Sequence, residues 1–357
     1  MQDLAQTFRL SIDGEVVTAL QNNAVVAIGV SGGKDSSVVA IQTHRFLDAI
    51  RHTGERLLLH SDLGLIEHAD SMRHCEKLSA FLKLPLLTVR RKQGGLIERW
   101  EQRWESNWRR YVNLECVTLI TPWSTPKLRF CTGELKSQVI SRELATRYPG
   151  QQIINVIGIR RAESSARARK PISQLNPKLK RASGSHGIDW HPILDWTTQE
   201  VFDFHKEVRF PLHFAYSNGN SRVSCSFCIL SSIGDLRASF SDQRNHPAWQ
   251  RLSALELESA FSFQSNRWLT ELSPNLIDRI HLAEAQAKAR TRQAIEAQIP
   301  ASLRFTKGWP TSVPTYSEAT TLASIRSQIA GLYQKEVGYT TAKSVEERYA
   351  ELQNQSR

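Results

Sequence analysis

Short, continuous apolar runs alternate with helical patterns along the first two thirds of the chain. The first run, 24–30, ends at a Ser-Gly-Gly turn and is typical of a strand buried on both faces. The next segment, 36–50, has apolar residues at helical spacing. Further strands are predicted at 57–60, 86–89 and 153–159, with a helix inside 63–82. Because strands and helices alternate, the pattern predicts an α/β fold with a doubly wound, mostly parallel sheet.

Helical patterns dominate the two ends of the chain. Apolar residues at positions 4, 8, 12 and 16 predict a helix that opens the chain. After about residue 242 the strand pattern fades, and helices are predicted at 252–263, 277–299 and 318–333. We therefore predict two parts, an α/β domain over 1–240 and a helical C-terminal region over 241–357.

An aromatic stripe crosses the segment between residues 95 and 111. Its members recur every three or four positions: Ile97, Trp100, Trp104, Trp108 and Tyr111. That spacing is typical of the core-facing side of a helix. Because four arginines are interleaved with the stripe, the alternative is a surface on which bases stack. The pattern alone leaves both interpretations open.

The turn after the first strand has the composition of an anion-binding loop. Residues 31–36 are Ser-Gly-Gly-Lys-Asp-Ser, and a helix is predicted directly after them. Glycines let the backbone turn tightly and approach a ligand, and a helix N-terminus favours negative charge. The spacing is not that of the Walker loop. We predict a phosphate-binding loop made of backbone N–H groups, hydroxyls and a mobile ammonium group, formed by Ser31, Gly32, Gly33, Lys34, Asp35, Ser36 and Ser37.

Basic residues in two other segments are candidates for the same site. Arg160 and Arg161 follow the strand predicted at 153–159, so they would lie at the carboxyl edge of the sheet, where such folds bind ligands. Two arginines there could clamp phosphate in bidentate fashion. Arg129 and Lys136 would converge from a neighbouring loop. The alternative is a solvated basic loop.

Asp35 and Asp62 are candidate magnesium ligands. Each comes at or just after a predicted strand end, and Mg²⁺ usually takes one or two carboxylates together with phosphate oxygens. Either aspartate could instead be a helix N-cap, a common role for Asp at such positions. Thr197 is predicted to be an N-cap, with Glu200 as its capping-box partner.

The chain has five cysteines, and this odd number argues against a disulfide framework and for metal, cluster or redox roles. Cys225 and Cys228 form a C-x-x-C pair, which can chelate zinc, hold an iron–sulfur cluster or cycle between dithiol and disulfide. Cys131 is the first candidate for a further ligand, followed by Cys116 or Cys75. The basic residues near Cys131 would favour a low thiolate pKa. A [4Fe–4S] cluster or a zinc ion would then need a fourth ligand. A buried structural pair is the alternative.

The charge of the chain is unusual for a soluble protein. There are 46 Lys and Arg against 35 Asp and Glu, which gives a net charge of +11 and a pI near 9.6. Such a surplus suits a polyanionic partner, either a phosphorylated small molecule or nucleic acid, although solubility is the simpler explanation. The cations concentrate between residues 160 and 181. Segment 170–189 is rich in Pro, Ser, Gly and Lys and predicts a flexible loop.

The remaining composition is that of an ordinary globular protein, with 40% hydrophobic and 23% charged residues. The first residues lack the pattern of a signal peptide, and the longest apolar runs are too short to span a bilayer. We therefore expect a cytoplasmic enzyme without a membrane partner.

Residues 31–36 resemble the PP-loop of the N-type ATP pyrophosphatases, and the chain is similar to the phosphoadenylylsulfate (PAPS) reductase-like branch of that superfamily. The resemblance covers about residues 20–230 and includes four further motifs: HSDLG at 60–64, RFCT at 129–132 with LK at 135–136, GIRRAES at 158–164 and PILDWT at 192–197. It implies an adenine nucleotide alpha hydrolase-like fold that binds ATP with Mg²⁺ and releases pyrophosphate. It also implies catalytic roles for Lys34, Asp35, Arg160 and Arg161. Two residues of the 158–164 motif, Gly158 and Glu163, join the expected nucleotide-binding residues.

Within that branch the chain resembles the ATP pyrophosphatases of DNA phosphorothioation systems, of the Dnd and Ssp types. This resemblance implies adenylation of a DNA backbone phosphate for sulfur incorporation, a cysteine desulfurase as sulfur donor, and a homodimer as one assembly. A PAPS reductase is an alternative, but that family uses a cysteine on a C-terminal tail, and residues 349–357 include none. A tRNA-thiolating PP-loop enzyme, which uses C-x-x-C with a third cysteine, also fits the motifs, and so does a non-catalytic nucleotide-binding subunit.

Overall fold

The strands form one twisted sheet in the computed structural model, which describes residues 8–273 and 279–355. Within these residues the strands are β1 Val25–Val30, β2 Arg56–Asp62, β3 Leu86–Arg90, β4 Gln152–Val156, β5 Ser173–Leu175 and β6 His186–Trp190. Their order is β3-β2-β1-β4-β6-β5. Neighbouring strands are parallel, except that β5 and β6 are antiparallel. The predicted α/β class with a mostly parallel sheet is confirmed.

Helices alternate with the strands and then continue alone to the end of the described chain. Their bounds are α1 Gly14–Gln21, α2 Lys34–Ala49, α3 Ser71–Leu82, α4 Leu96–Val112, α5 Phe130–Thr132, α6 Gln138–Arg147, α7 Ser165–Ala168, α8 Thr198–Val208, α9 Phe214–Ser217, α10 Ile233–Ser241, α11 His246–Ser259, α12 Arg279–Ala297, α13 Tyr316–Tyr333 and α14 Ala342–Gln355. A π-helical segment, Gly133–Ser137, joins α5 to α6. In the part of the chain that the structure describes, no helix is long and apolar enough to cross a membrane.

Apolar cores cover both faces of the sheet. Val26 and Ile28 of β1 belong to one core together with residues of α2. The alternate residues Val25 and Ala27 belong to the other core, which includes Leu144 of α6. Successive side chains of a strand point to opposite faces, so a strand covered on both sides has no solvent-facing position for a polar residue. This explains the continuous apolar run in β1.

The carboxyl end of β1 lies at the point where the chain reverses its direction across the sheet. From β1 the chain moves outward to β2 and β3, and it then returns to place β4 on the other side of β1. The connections after β1 and β4 therefore leave in opposite directions, and a crevice opens between them. Ligands of open α/β sheets bind at such crevices. Residues 31–37 follow β1 directly, and residues 158–164 follow β4.

The chain divides into two compact units. The sheet unit comprises residues up to 97 and 125–248, and the helical unit comprises 98–124 and the residues from 249 onward. The division differs from the predicted parts in two respects. Residues 98–124, which include most of α4, belong to the helical unit although they precede half of the sheet, and the later boundary lies after residue 248 instead of residue 240. The segment 98–124 interrupts the sheet unit without adding a strand, so the sequence pattern does not reveal that it belongs to the helical unit.

The aromatic stripe of α4 lies in the core of the helical unit. Trp100 and Trp104 are 1% and 2% exposed. The ring of Trp100 packs at a centroid distance of 5.4 Å from Trp123, and that of Trp104 at 6.1 Å from Phe261. The core-packing interpretation is therefore confirmed for these rings. Base stacking on them is excluded because bases could not reach buried faces.

Two local expectations from the sequence are wrong. Among the described residues the first helix begins at Gly14, where the Asp13 carboxylate accepts a hydrogen bond from the Val16 N–H. Phe8 lies before that helix and packs against the Trp196 ring, and Leu4 lies outside the described residues. Segment 170–189 is not a loop throughout, because it contains β5 and most of β6. By contrast, the capping box between Thr197 and Glu200 is present at the start of α8.

Candidate functional site

Two glycines shape the loop after β1. Gly32 has a φ of +77°, and a Cβ there would lie 3.3 Å from both the His213 ring and the Ser71 backbone. A Cβ at Gly33 would lie 3.2 Å from the carbonyl oxygen of Val223. Positive φ and close backbone contacts both favour glycine, so the local structure favours glycine at both positions, and most strongly at Gly32.

The serine hydroxyls of the loop bind the loop itself. Ser36 Oγ donates to the Gly33 carbonyl at 2.8 Å and accepts from the Ser31 N–H at 3.2 Å, while Ser37 Oγ donates to the same carbonyl at 3.2 Å. The expected hydroxyl donors are therefore used internally. The N–H groups of Gly32 and Gly33 donate to no protein acceptor within the described residues. They precede the sixteen-residue helix α2, so two backbone donors and a helix N-terminus are available to an anion.

Asp35 is held between two cations. Its Oδ1 accepts from Arg160 Nε at 2.6 Å, and its Oδ2 lies 3.2 Å from Lys34 Nζ. The Lys34 side chain is only 6% exposed, and its ammonium group lies 5.4 Å from the centroid of the Tyr216 ring. Lys34 is therefore not the mobile surface charge that the sequence suggested, because burial and the Asp35 carboxylate fix its position.

Both arginines after β4 bind protein acceptors. Beyond its pair with Asp35, Arg160 donates through Nη1 to Thr198 Oγ1 at 3.0 Å, and its backbone N–H donates to Glu163 Oε2 at 2.7 Å. Arg161 pairs with Asp195 at 2.6 Å and also donates to two backbone carbonyls. The bidentate phosphate clamp stays a prediction, since a phosphate would have to exchange with these acceptors.

Gly158 brings the two segments together. A Cβ at this position would lie 3.2 Å from the Asp35 carbonyl oxygen and 3.2 Å from Val39 Cγ2. The absence of a side chain therefore lets the 158–164 segment lie directly on the start of α2. The structure thus places Arg160 and Glu163 beside the loop. The sequence alone does not show this proximity.

Asp62 ends β2 in a self-contained turn. Its Oδ1 accepts from the Gly64 N–H at 2.7 Å, and its Oδ2 lies 3.4 Å from Arg90 Nη1. Neither Asp62 nor Asp35 caps a helix through its side chain. Within the described residues, no three His, Cys, Asp or Glu side chains are arranged to hold a metal ion. The two aspartates therefore do not form a magnesium site by themselves, and their magnesium role stays a prediction.

Tyr216 and His205 complete the loop, and no pattern in the sequence pointed to either. The Tyr216 hydroxyl accepts from the Lys34 N–H at 2.9 Å and from the Val223 N–H at 3.4 Å. The His205 Nε2 lies 3.0 Å from the Lys34 carbonyl oxygen. Burial raises the pKa of Tyr216 to about 12, so the hydroxyl stays protonated at neutral pH. Both residues lie far from the loop in sequence, and a lone Tyr or His carries no signal of such a contact.

Residues 25–235, more than half of the chain, match the phosphoadenosine phosphosulfate reductase domain. The chain belongs to this family.

Individual relatives are distant. An uncharacterized 37.8 kDa protein of Escherichia phage 186 is 25% identical over 264 residues, which cover 64% of this chain and 75% of the phage protein. The PAPS reductase of Candida auris is 15% identical, with a TM-score of 0.36 over 56% of this chain and 80% of its own. A U34-tRNA thiolase from Methanococcus maripaludis, determined with its [4Fe–4S] cluster, is 16% identical, with a TM-score of 0.38 over 84% of this chain and 79% of its own.

In this member of the PAPS reductase domain family, three partly exposed cysteines lie in one neighbourhood. The thiols of Cys131 and Cys228 both add to the electrostatic field at Cys225. Cys225 is partly exposed as a residue, but its thiol is surrounded by protein atoms. Burial, followed by the neighbouring Cys228, raises the pKa of Cys225 well above its usual range, and Lys136 only partly opposes this. The expected low thiolate pKa is therefore wrong for Cys225, because burial outweighs the nearby positive charge.

The three thiols do not fit a metal centre as they are placed. No three His, Cys, Asp or Glu groups of the described chain converge on one point, and Cys75 and Cys116 are buried elsewhere. The arrangement therefore supports no chemical step through a cluster or a zinc ion.

The segment that carries Cys131 docks at the end of β2. Ser61 Oγ donates to the Leu135 carbonyl at 2.7 Å, and this contact brings Lys136 into the field of Cys225. Arg129 lies exposed just before α5. Lys136 therefore lies closer to the cysteine thiols than its predicted role in phosphate binding required, and the phosphate-binding roles of Lys136 and Arg129 stay predictions.

A buried histidine lies between the phosphate loop and the cysteine segment. His60 Nδ1 lies 3.1 Å from the Val30 carbonyl oxygen, and its Nε2 lies 3.1 Å from Glu67 Oε2. Glu67 in turn forms a β-bridge with Cys225. Burial alone would lower the pKa of His60, but hydrogen bonds to Cys75 and Glu67 outweigh it and raise the pKa to about 10. His60 is thus an imidazolium that pairs with Glu67 at neutral pH.

Proposed function

We propose that this protein is an ATP pyrophosphatase that binds ATP at residues 31–37 and cleaves it between the α and β phosphates. The observation that supports this most strongly is the pair of glycine N–H groups without an acceptor in the described protein, at the N-terminus of α2 and at the switch point of the sheet. Cleavage transfers AMP to an acceptor oxygen, and pyrophosphate leaves. Sulfur from the donor then displaces AMP, which leaves with the adenylated oxygen.

Charge near the loop suits that leaving group. Lys34 and Arg160 share the single carboxylate of Asp35, so the three groups together carry one net positive charge. Preorganised cations stabilise negative charge that develops on a phosphate oxygen in the transition state. Asp35 would hold both cations in place until the triphosphate arrives. Magnesium would enter with the nucleotide, since this ion keeps water and phosphate oxygens as ligands.

The acceptor in this proposal is a DNA backbone phosphate, as in the Dnd and Ssp systems, with a cysteine desulfurase as sulfur donor. The net charge of +11 supports a polyanionic acceptor. In the sheet unit, Lys178, Lys180 and Arg181 are exposed around Leu179, whose side chain is buried in the core with Leu144. A buried anchor holds these cations on a fixed surface, which suits a DNA backbone. A homodimer would present two such surfaces.

Thiolation of tRNA is the second candidate. It is supported by the proximity of Cys131 to the C-x-x-C pair, because an enzyme that handles sulfur on cysteine needs thiols near the activated atom. The ATP chemistry would be the same, and only the acceptor would differ. PAPS reduction is a third candidate, and only the family membership supports it.

Product analysis distinguishes these functions. The purified protein is incubated separately with ATP and with PAPS, each with and without duplex DNA or total tRNA, and AMP, pyrophosphate and sulfite are measured. We expect AMP and pyrophosphate from ATP, with a rate that DNA increases. Lys34→Ala should abolish the release of pyrophosphate, while Lys206→Ala, an exposed lysine of α8, should not change it. Sulfite from PAPS, or stimulation by tRNA alone, would replace this proposal by one of the other two.

A further inference from the structure

A cavity of about 760 Å³ lies in the sheet unit beside the phosphate loop. It is lined by the start of α3, by α9 and by residues 241–244. None of residues 31–37 lines it, but Gly32 of the loop lies against the ring of His213, which does. The volume is in the range of small-molecule sites. The cavity is therefore separate from the phosphate loop and adjacent to it.

Two cations in this cavity have no carboxylate partner. Arg73 and Lys77 lie one turn apart on α3, both are exposed, and neither forms an ion pair within the described residues. Arg244 also lines the cavity, but it pairs with Asp70 at 2.7 Å and with Asp242 at 2.8 Å. Arg244 and its two carboxylates together carry one negative charge, so Arg73 and Lys77 leave the lining with a net charge of about +1, which favours an anionic ligand.

An aromatic ring also lines the cavity. Phe214 is 50% exposed, and the guanidinium carbon of Arg244 lies 5.0 Å from its ring centroid. The two carboxylates that bind Arg244 hold the guanidinium over one face of the ring, and the exposed half of Phe214 remains available. An exposed aromatic face binds a planar base by stacking.

A buried imidazole in the lining has an unused donor. His213 is 3% exposed, and its Nδ1 accepts from the Ala215 N–H at 3.0 Å. Because a neutral imidazole has one donor and one acceptor nitrogen, its proton is on Nε2, and Nε2 has no partner within the described residues. Burial and then the neighbouring His68 lower the pKa of His213 to about 4, so the ring is neutral at pH 7. This nitrogen is itself buried, so the neutral ring forms part of the cavity wall rather than an exposed donor.

We propose that this cavity binds a second nucleotide unit, with the base against the exposed half of Phe214 and the phosphate near Arg73 and Lys77. The inference rests on the proposed function, in which the unit belongs to the acceptor that receives AMP from the adjacent loop. The chemistry is shared by a free mononucleotide and by one nucleotide of a DNA strand.

Binding to the full chain tests the inference. The loop is first saturated with α,β-methylene ATP, whose own affinity is measured by calorimetry. The protein is then titrated with AMP in one arm and with a fluorescein-labelled eight-residue oligothymidylate in the other. We expect one probe to bind with a stoichiometry of one. Phe214→Ala and the double variant Arg73→Gln/Lys77→Gln should each weaken that probe about tenfold or more.

Matched variants separate this surface from its neighbours. Phe81→Ala removes a ring of nearly the same exposure, 49%, that does not line the cavity, and Lys206→Gln removes an exposed cation of the same unit. Both should bind the probe as the wild type does. Wild-type affinity in Phe214→Ala, no binding of either probe, or a loss confined to a variant of Lys178, Lys180 and Arg181 would overturn the inference. If α,β-methylene ATP fails to bind but the Phe214 effect remains, the proposed function fails and the cavity site stands.

Discussion

At the scale of single residues, the neighbouring Arg160 and Arg161 differ in burial. Arg160 is 4% exposed and pairs with Asp35 in the interior, whereas the side chains of Arg161 and Asp195 are 39% and 56% exposed. Breaking a buried ion pair leaves an uncompensated charge and costs about 3–5 kcal/mol, while an exposed pair contributes about 0–1 kcal/mol.

We therefore expect Arg160→Gln to lower the free energy of unfolding by about 3 kcal/mol, the lower end of that range because Asp35 keeps Lys34. Arg161→Gln should lower it by less than about 1 kcal/mol. Urea unfolding of both variants at pH 7.5 measures the difference. An equal loss of unfolding free energy in both variants would show that burial does not determine how much each ion pair stabilises the protein.

The Tyr216 hydroxyl gives a second prediction at this scale. Tyr216→Phe keeps the ring beside Lys34 but removes the acceptor for the Lys34 and Val223 N–H groups. Leaving buried donors unpaired costs about 1–3 kcal/mol, so the melting temperature should fall by several degrees. Tyr316→Phe, at a ring that is 74% exposed, should leave it unchanged. A melting temperature equal to that of the wild type would mean that other acceptors replace the hydroxyl.

The sequence could predict which segments meet at this site but not how their groups share partners. The residues of 31–36 and 158–164 form recognisable motifs, and each follows a strand that its apolar run predicts. Tyr216 and His205 reach the loop only because α8 and α9 fold back onto it. Likewise, the internal use of the serine hydroxyls depends on backbone angles at Gly32 and Gly33, which the residue types allow but do not specify.

At the scale of elements, β5 and β6 show why polar segments mislead. Residues 170–189 contain Gly, Ser and Pro, which usually mark loops. Gly187 nevertheless lies inside β6, where a Cβ would approach the Ile153 carbonyl oxygen to 2.1 Å. The close packing of β6 against β4 therefore requires glycine at this position. Glycine usually interrupts a strand, but here it lies within one.

Three histidines are in contact near the N-terminal ends of α3 and α9. We expect this cluster to make the folded state less stable in acid. His68, His74 and His213 have ring centroids within 5.7 Å of a neighbour, and burial lowers the pKa of each to about 4. Their folded pKa lies below the unfolded value of 6.5, so the folded state binds fewer protons. Their contribution is complete above pH 6.5 and is lost as the pH falls towards 4.

Between pH 6.5 and 5 we expect the free energy of unfolding to fall by about 2 kcal/mol or more. His60 does not disturb this window, because its raised pKa keeps it protonated in the folded state and its contribution is constant below pH 6.5. Urea unfolding at several pH values gives the slope. His52 and His191, whose pKa values burial also lowers, add to the slope, and Glu256, whose pKa burial raises to about 7, opposes it. His74→Phe should therefore reduce the slope by at most about 1.4 kcal/mol per pH unit, the share of one proton, and an unchanged slope would assign the titration to other groups.

At the scale of the whole molecule, the helical unit depends on a segment from the middle of the chain. Trp100 and Trp104 of α4 and Trp123 supply its aromatic core together with Phe261 and Phe263. A fragment of residues 241–357, the predicted C-terminal region, lacks the first three rings. We expect it to show no cooperative thermal transition by near-UV circular dichroism, because an incomplete aromatic core does not fix side chains. A sharp transition in that fragment would show that α4 is dispensable for the unit.

The helical unit is built from two separate segments of the chain, and this has a consequence during synthesis on the ribosome. The chain emerges from its N-terminus at a limited rate, so α4 leaves the tunnel long before residues 249–273 that cover its aromatic face. Throughout the translation of residues 125–248, Trp100 and Trp104 lack their later partners. The nascent chain therefore carries an uncovered tryptophan surface for more than a hundred residues of elongation, and chaperones that bind exposed aromatic segments have their target there.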